Sequence, residues 1–262
     1  MKGICLLIIL GCCIGLQAQI VTDRPSQSYG PFVLPASSFQ QESSVNYSQN
    51  LGFAHGVFFG PVNFFRLGLG KQLELRAANG LTFQKLGKDI LVGFVPFRLG
   101  LKAQLTKNED RKTQVGILIQ GIFATGLNSG YNGYNGGEII LSFRHQLNPR
   151  HSLLYNGAYQ GAWIGPKTNA YFLQHAHVTL CYGFQVTDRL SLFAETYGVV
   201  DDLPYLTSER YQWNADLGLI YILRPNFQID YSFGFGFLDL NNFHEIGLSY
   251  YIPSKNPGNG NP

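Results

Sequence analysis

The side chains of this sequence whose types and spacing could do chemistry are Arg66, Glu74, Arg76, Arg98, Lys102, Arg144, Glu195, Asp216 and Asp230, with Glu42, Glu138 and Glu245 beside them. Each stands in a run of alternating residues, in the phase opposite the main apolar set. Successive side chains of a strand point to opposite faces, so all of them gather on one face. Acids outnumber bases only slightly there, which suits a mutually paired lining along a solute path better than an ion filter of one sign. An unpaired charge in such a place is expensive, so pairing is the first reading of any one of them and solute contact the second.

His175 and His177 stand two apart on one strand, the spacing with which a strand presents two ligands to a metal. Aligning the hairpin across QVTDR sets Tyr197 opposite His177 and Glu195 opposite Thr179, within reach of a third ligand. No further Cys or His spacing supports a metal centre, so a polar lining is the preferred reading and no cofactor is assigned. A lipase or protease would need a nucleophile, a base and an orienting group together. His145 is the one strand histidine in the apolar phase, and no Ser stands beside it; no Ser-centred elbow or phosphate loop occurs. The chain is read as a non-enzyme, with an outer-membrane lipid-modifying enzyme as the third alternative.

These side chains need strands to hold them. The stretch 211–237, YQWNADLGLIYILRPNFQIDYSFGFGF, shows the pattern most clearly: Trp213, Ala215, Leu217, Leu219 and Tyr221, then Phe227, Ile229, Tyr231, Phe233 and Phe235, alternate with Asn, Asp, Gln, Ser and Gly across an Arg-Pro-Asn turn. A soluble sheet usually fills its polar face with Lys and Glu; a transmembrane barrel turns apolar residues to lipid and small polar ones to its lumen. The charged fraction is 13%, about half that of an ordinary soluble domain.

Residues 1–18, with Lys2, an apolar core from Ile4 to Ile14 and Leu16-Gln17-Ala18 before a cut, read as a secretory signal peptide. Its removal leaves 18 basic residues against 16 acidic, a balance that points to no nucleic acid. It also leaves Cys181 as the single cysteine, so no disulfide framework exists. Residues 19–38, with Pro25, Pro31 and Pro35 and no sustained period, read as an extended periplasmic segment. The barrel takes 39–251, and 252–262 is a disordered tail. Strands are expected over 39–47, 62–69, 73–79, 90–105, 114–125, 138–147, 151–163, 171–184 and 190–199, then the hairpin 211–237 and a last strand over 244–251. Brief turns near 70, 106, 148, 185 and 223 alternate with longer segments near 48, 80, 126, 164 and 200, the asymmetry of an up-and-down antiparallel barrel of about 12 strands. Charge is the sharper test, because a Lys or Arg facing lipid at the midplane costs about 2–4 kcal/mol. Trp163, Phe172 and Trp213 mark one membrane interface, and Phe143, Phe184, Tyr221 and Phe227 the other.

TDRPSQSYGPFVLP, FQQESSVNY, FFRLGLGKQLELRAA, FQVTDRLSLFAETYG and DLGLIYILRPNFQIDYSFGFGF together resemble the bacterial outer-membrane family of meta-pathway phenol-degradation transporters, in a Bacteroidetes-type form. The resemblance covers nearly the whole chain after the leader and includes Arg66, Glu74, Arg76, Glu195, Asp216 and Asp230. It implies an all-β transmembrane barrel in the outer membrane and a pathway context for its solutes. The expectation is a monomeric passive channel for small, hydrophobic or aromatic solutes, assembled by the outer-membrane machinery among outer-membrane lipids. Solute would pass the paired lumen charges, with Gly218, Gly234 and Gly236 making room. The alternative is a closed structural barrel that presents its loop at 126–136 to partners.

Overall fold

The computed structural model describes residues 20–50, 55–86, 88–107, 111–125, 135–164, 170–202, 210–238 and 241–254. The strands are β1 (Phe39–Asn50), β2 (His55–Gly68), β3 (Leu73–Leu86), β4 (Asp89–Gln104), β5 (Thr113–Phe123), β6 (Asn135–Asn148), β7 (His151–Ile164), β8 (Tyr171–Gln185), β9 (Leu190–Asp202), β10 (Arg210–Arg224), β11 (Phe227–Gly236) and β12 (Asn241–Ile252). Each pairs antiparallel with its sequence neighbours, and β1 closes on β12 from Phe39↔Ile252 to Asn50↔Asn241. Closure leaves no unpaired edge, which hydrocarbon demands of any strand that crosses it. Among the described residues no helix is long and apolar enough to cross a membrane.

The expected division of faces holds around the barrel. Outward residues such as Ile119, Leu217 and Ile246 are more than half exposed to the surroundings, whereas Arg66, Glu74, Lys102, Asp216 and Asp230 are buried inside. That arrangement is stable only if the outer surroundings are lipid, since each apolar side chain then leaves water. Trp163 stacks near Phe172 with ring centroids 5.2 Å apart, at the end of the barrel away from the chain termini. Phe143 and Tyr155 stack at 5.1 Å and Phe184 meets His151 at 4.7 Å, nearer the other end.

The start of β1, the end of β12 and the ends of β2, β4, β6, β8 and β10 that lead into short connections share one end of the barrel, as the short-turn pattern requires. The opposite end departs from expectation. The segments near 48 and 80 are strand rather than loop: β1 continues to Asn50, β2 begins at His55 and β3 reaches Leu86. The reason is a pair of bulges built on proline. Val45 of β1 faces both Gly60 and Pro61, because the register runs Ser44↔Val62 and then Asn46↔Phe59. Asn79 of β3 faces Pro96 and Phe97 in the same way, between Ala78↔Arg98 and Gly80↔Val95. Proline cannot donate to a ladder, but a bulge absorbs it without ending the strand. The β8–β9 register differs from the expected one by two residues: Thr179 faces Tyr197, Cys181 faces Glu195 and His177 faces Val199. Val186 N–H bonds the carbonyl of Leu190, so the turn is wider than was assumed.

The larger correction concerns the segment read as a periplasmic lead-in. From Ile20 to Ser38 it runs inside the barrel, with Ile20, Asp23, Pro25, Ser28, Pro31, Leu34 and Ser38 buried among the lumen side chains and Val21, Gln27 and 35–37 exposed. The proposed leader at 1–18, the outer loop tip at 126–134 and the tail from 255 lie outside the described residues.

Candidate functional site

Asp23 is the centre of the lumen chemistry. Its carboxylate accepts hydrogen bonds from Arg76 Nη1 at 2.5 Å, from Lys102 Nζ at 3.0 and 3.2 Å and from Gly30 N at 2.8 Å, with Arg66 Nη1 4.0 Å away. Burial alone would raise its pKa, but the Lys102, Arg76 and Arg66 charges hold the carboxyl well below the usual carboxylate range. Arg66 is saturated. Its Nε and Nη2 fork onto Glu74 at 2.8 and 2.9 Å, and its Nη1 reaches Glu42 at 2.9 Å and the carbonyl of Val21 at 2.8 Å. Arg66, Arg76 and Lys102 are thus matched by Asp23, Glu42 and Glu74, and one of the three acids arrives with the N-terminal segment. Without it, three cations would share two acids: Arg76 would keep only Glu74, 3.8 Å away, and Lys102 would face the lumen unmatched, which is the costly situation for buried charge.

Two further anchors hold the segment. Arg24 pairs with Glu245 and lies 4.0 Å from Asp230 on the β11–β12 side. On the far wall Gln27 N–H donates to Glu195 at 2.6 Å, the Ser28 hydroxyl bonds Glu195 and meets that of Thr179 at 2.6 Å, and Asn156 clasps Tyr29 through Tyr29 N–H at 2.6 Å and Tyr29 O at 2.9 Å. Leu34 and Ile20 pack on Tyr251 nearer the chain ends. The chain therefore crosses the lumen, attached to strands on opposite sides.

This crossing divides the interior. The outer cavity, of about 610 Å³, reaches Arg98, Glu138, His175 and His177, and the inner one, of about 590 Å³, reaches Arg144, Phe184 and Pro149. Arg24, Pro25 and Ser26 line both and form the partition between them.

All the charges singled out from the sequence point inward, but they do different things. Arg66, Glu74, Arg76 and Lys102 bind the segment. Glu195 and Asp230 anchor it, and Asp216 faces Glu195 across the β9–β10 pair. Arg98 pairs with Glu138 at 2.9 Å on the outer cavity wall. Arg144 faces the inner cavity with its guanidinium over the Phe32 ring, 5.4 Å from the centroid. His175 and His177 line the outer cavity, where the register places neither Tyr197 nor Glu195 opposite His177. Among the described residues no three His, Cys, Asp or Glu side chains are grouped to hold a metal.

The glycines expected to widen the path do not do so. A Cβ at Gly218 would strike the Phe193 ring at 2.2 Å, and one at Gly234 the Phe243 ring at 2.1 Å, so neighbouring aromatic side chains fill that space. The glycines that make room for the segment are others: a Cβ at Gly116 would lie 2.7 Å from the Pro31 carbonyl, and one at Gly68 only 2.0 Å from that of Pro35. Tyr29 packs on the buried cluster of Leu118, Ile140 and Ala158, which explains why the lumen phase of β5 is less polar than that of its neighbours.

The barrel fold is shared with solved structures. An outer membrane channel from Pseudomonas putida F1 is 12% identical with a TM-score of 0.66, covering 87% of this chain and 99% of that one. A KdgM porin is 8% identical with a TM-score of 0.54, covering 81% of this chain and 99% of that one. At such identity they show the fold alone, that of an outer-membrane β-barrel. No curated protein matched the sequence. The family model described as "Putative MetA-pathway of phenol degradation" matches residues 22–250, a span that takes in most of the lumen-crossing segment, eleven whole strands and most of β12, and the chain belongs to that family.

Proposed function

We propose that the protein is a passive outer-membrane channel for small solutes, hydrophobic and aromatic ones included, in which the N-terminal segment forms the constriction. The observation that carries this reading is the pair of cavities on either side of the lumen-crossing segment, with Arg24, Pro25 and Ser26 lining both. Each is of the size that accepts a small organic molecule. A barrel of this strand number lies between those filled by their own side chains and those with wide aqueous channels. The family description names phenol degradation, and the Pseudomonas relative is titled a channel, both of which accord with solute passage. In this reading no bond is made or broken, the barrel works as a monomer, and its strands are inserted by the outer-membrane assembly machinery.

A closed barrel without transport is the second reading, favoured by the saturation of Arg66 and by the crossing of the lumen. Liposome swelling with neutral solutes of increasing size separates the two. Swelling with the smallest solutes and none with larger ones is expected; no flux of any solute from a correctly folded barrel overturns the channel.

A further inference from the structure

We propose that the inner cavity binds the carboxylate of a small organic acid at Arg144, with the acid's apolar body on the cavity wall. This names a solute class for the channel reading, on which it rests for the solute's arrival. The lumen bases are not equivalent. Arg66, Arg76 and Lys102 are matched by acids of the clamp, Arg98 by Glu138, and Arg24 by Glu245. Arg144 alone among them has no acid within ion-pair distance in the described residues. Its cross-strand neighbours are Gln114 on β5 and Leu154 on β7, neither of them charged.

The two cavities differ in sign. Asp23, Glu42, Glu138 and Glu245 outnumber Arg24, Arg76 and Arg98 on the outer one, whereas among the described residues the inner one is lined by Arg24, Arg144 and Arg150 and by no Asp or Glu. Phe32 covers one face of the Arg144 guanidinium, which leaves the planar edge, with its paired N–H donors, for a partner. A carboxylate matches that edge with two parallel hydrogen bonds. Leu154 and Phe193 supply an apolar wall on the same cavity, so the fitting anion is a carboxylate joined to a ring or short alkyl body.

Equilibrium binding to the full-length barrel in detergent tests this without any need for flux, so it can fail separately from the channel. The probes are benzoate, its neutral isostere benzyl alcohol, and inorganic phosphate. Benzoate is expected to bind at least tenfold more tightly than benzyl alcohol or phosphate, the difference a charge-assisted pair supplies. Arg144→Gln is expected to remove that tenfold and Arg144→Lys to keep part of it. Gln114→Glu, which leaves the guanidinium in place but sets an acid opposite it, is expected to match Arg144→Gln. Equal benzoate affinity in wild type and in Arg144→Gln overturns the site. Phosphate binding as tight as benzoate overturns the assignment to organic acids.

Discussion

Replacing Asp23 by Ala should release the N-terminal segment from the lumen while leaving the barrel folded. The carboxylate is buried and serves Arg76, Lys102 and the Gly30 amide at once. Removing one partner of a buried charge cluster costs about 3–5 kcal/mol, because the remaining charges stay dehydrated. That cost falls on the docked state: once the segment leaves, water enters and Arg76 and Lys102 are solvated again. At about 1.4 kcal/mol per tenfold, the ratio of docked to undocked segment should fall by about two to three and a half orders of magnitude. The interstrand ladders do not involve Asp23, so the heat-dependent mobility shift of the folded barrel should be retained. Single-channel recording in planar bilayers reads the outcome. The variant should show a several-fold larger conductance, or frequent openings to such a level, than the wild type. The double variant Asp23→Ala/Lys102→Met, which removes the cation left unmatched, should lie between the single variant and the wild type. Wild-type conductance in a folded Asp23→Ala barrel would refute the assignment of Asp23 as the clamp.

Gly116→Val should open the channel by a different route, since its side chain would occupy the position of the Pro31 backbone; conductance should rise while every ion pair of the barrel wall is kept. Ile119→Arg places a cation on the lipid face between Leu101 and Ile139 and should destabilise the barrel by about 2–4 kcal/mol, read as a lowered unfolding midpoint in denaturant. The depressed pKa of Asp23 makes the clamp's contribution fully present above the unfolded carboxylate value of about 3.9 and lost only as pH falls below it. Conductance recorded between pH 7 and pH 5 should therefore show no opening attributable to this group.

The strands and the lumen face were readable because a period of two and a charge penalty act on the same residues. An Arg on the wrong face of β2, β4 or β6 would have broken both patterns at once. The strand start before Pro61 was not readable, because a proline that ends a strand and a proline that sits in a bulge look alike until the partner strand is known. The segment from Ile20 to Ser38 was missed for a related reason. Its contacts are to side chains far away in sequence, Asp23 to Lys102 and Ser28 to Thr179, and such contacts impose no period on the segment itself. The trace of it lies in the wall. Gly68 and Gly116 stand where a lumen residue should have a side chain, and Leu118 and Ile140 are apolar where their phase is polar. Those departures mark the surface a buried segment rests on.

The location of that segment is the central claim, and cross-linking tests it most directly. In a Cys181→Ser background, Ser28→Cys with Thr179→Cys places two thiols where hydroxyls now stand 2.6 Å apart. Oxidation of intact cells should join them nearly completely, seen as loss of both maleimide-reactive thiols, and single-channel recordings of the joined barrel should stay at the wild-type level until a reductant is added. Two free thiols after oxidation, in a barrel that is folded and inserted, would contradict a lumen crossed by its own N-terminal segment.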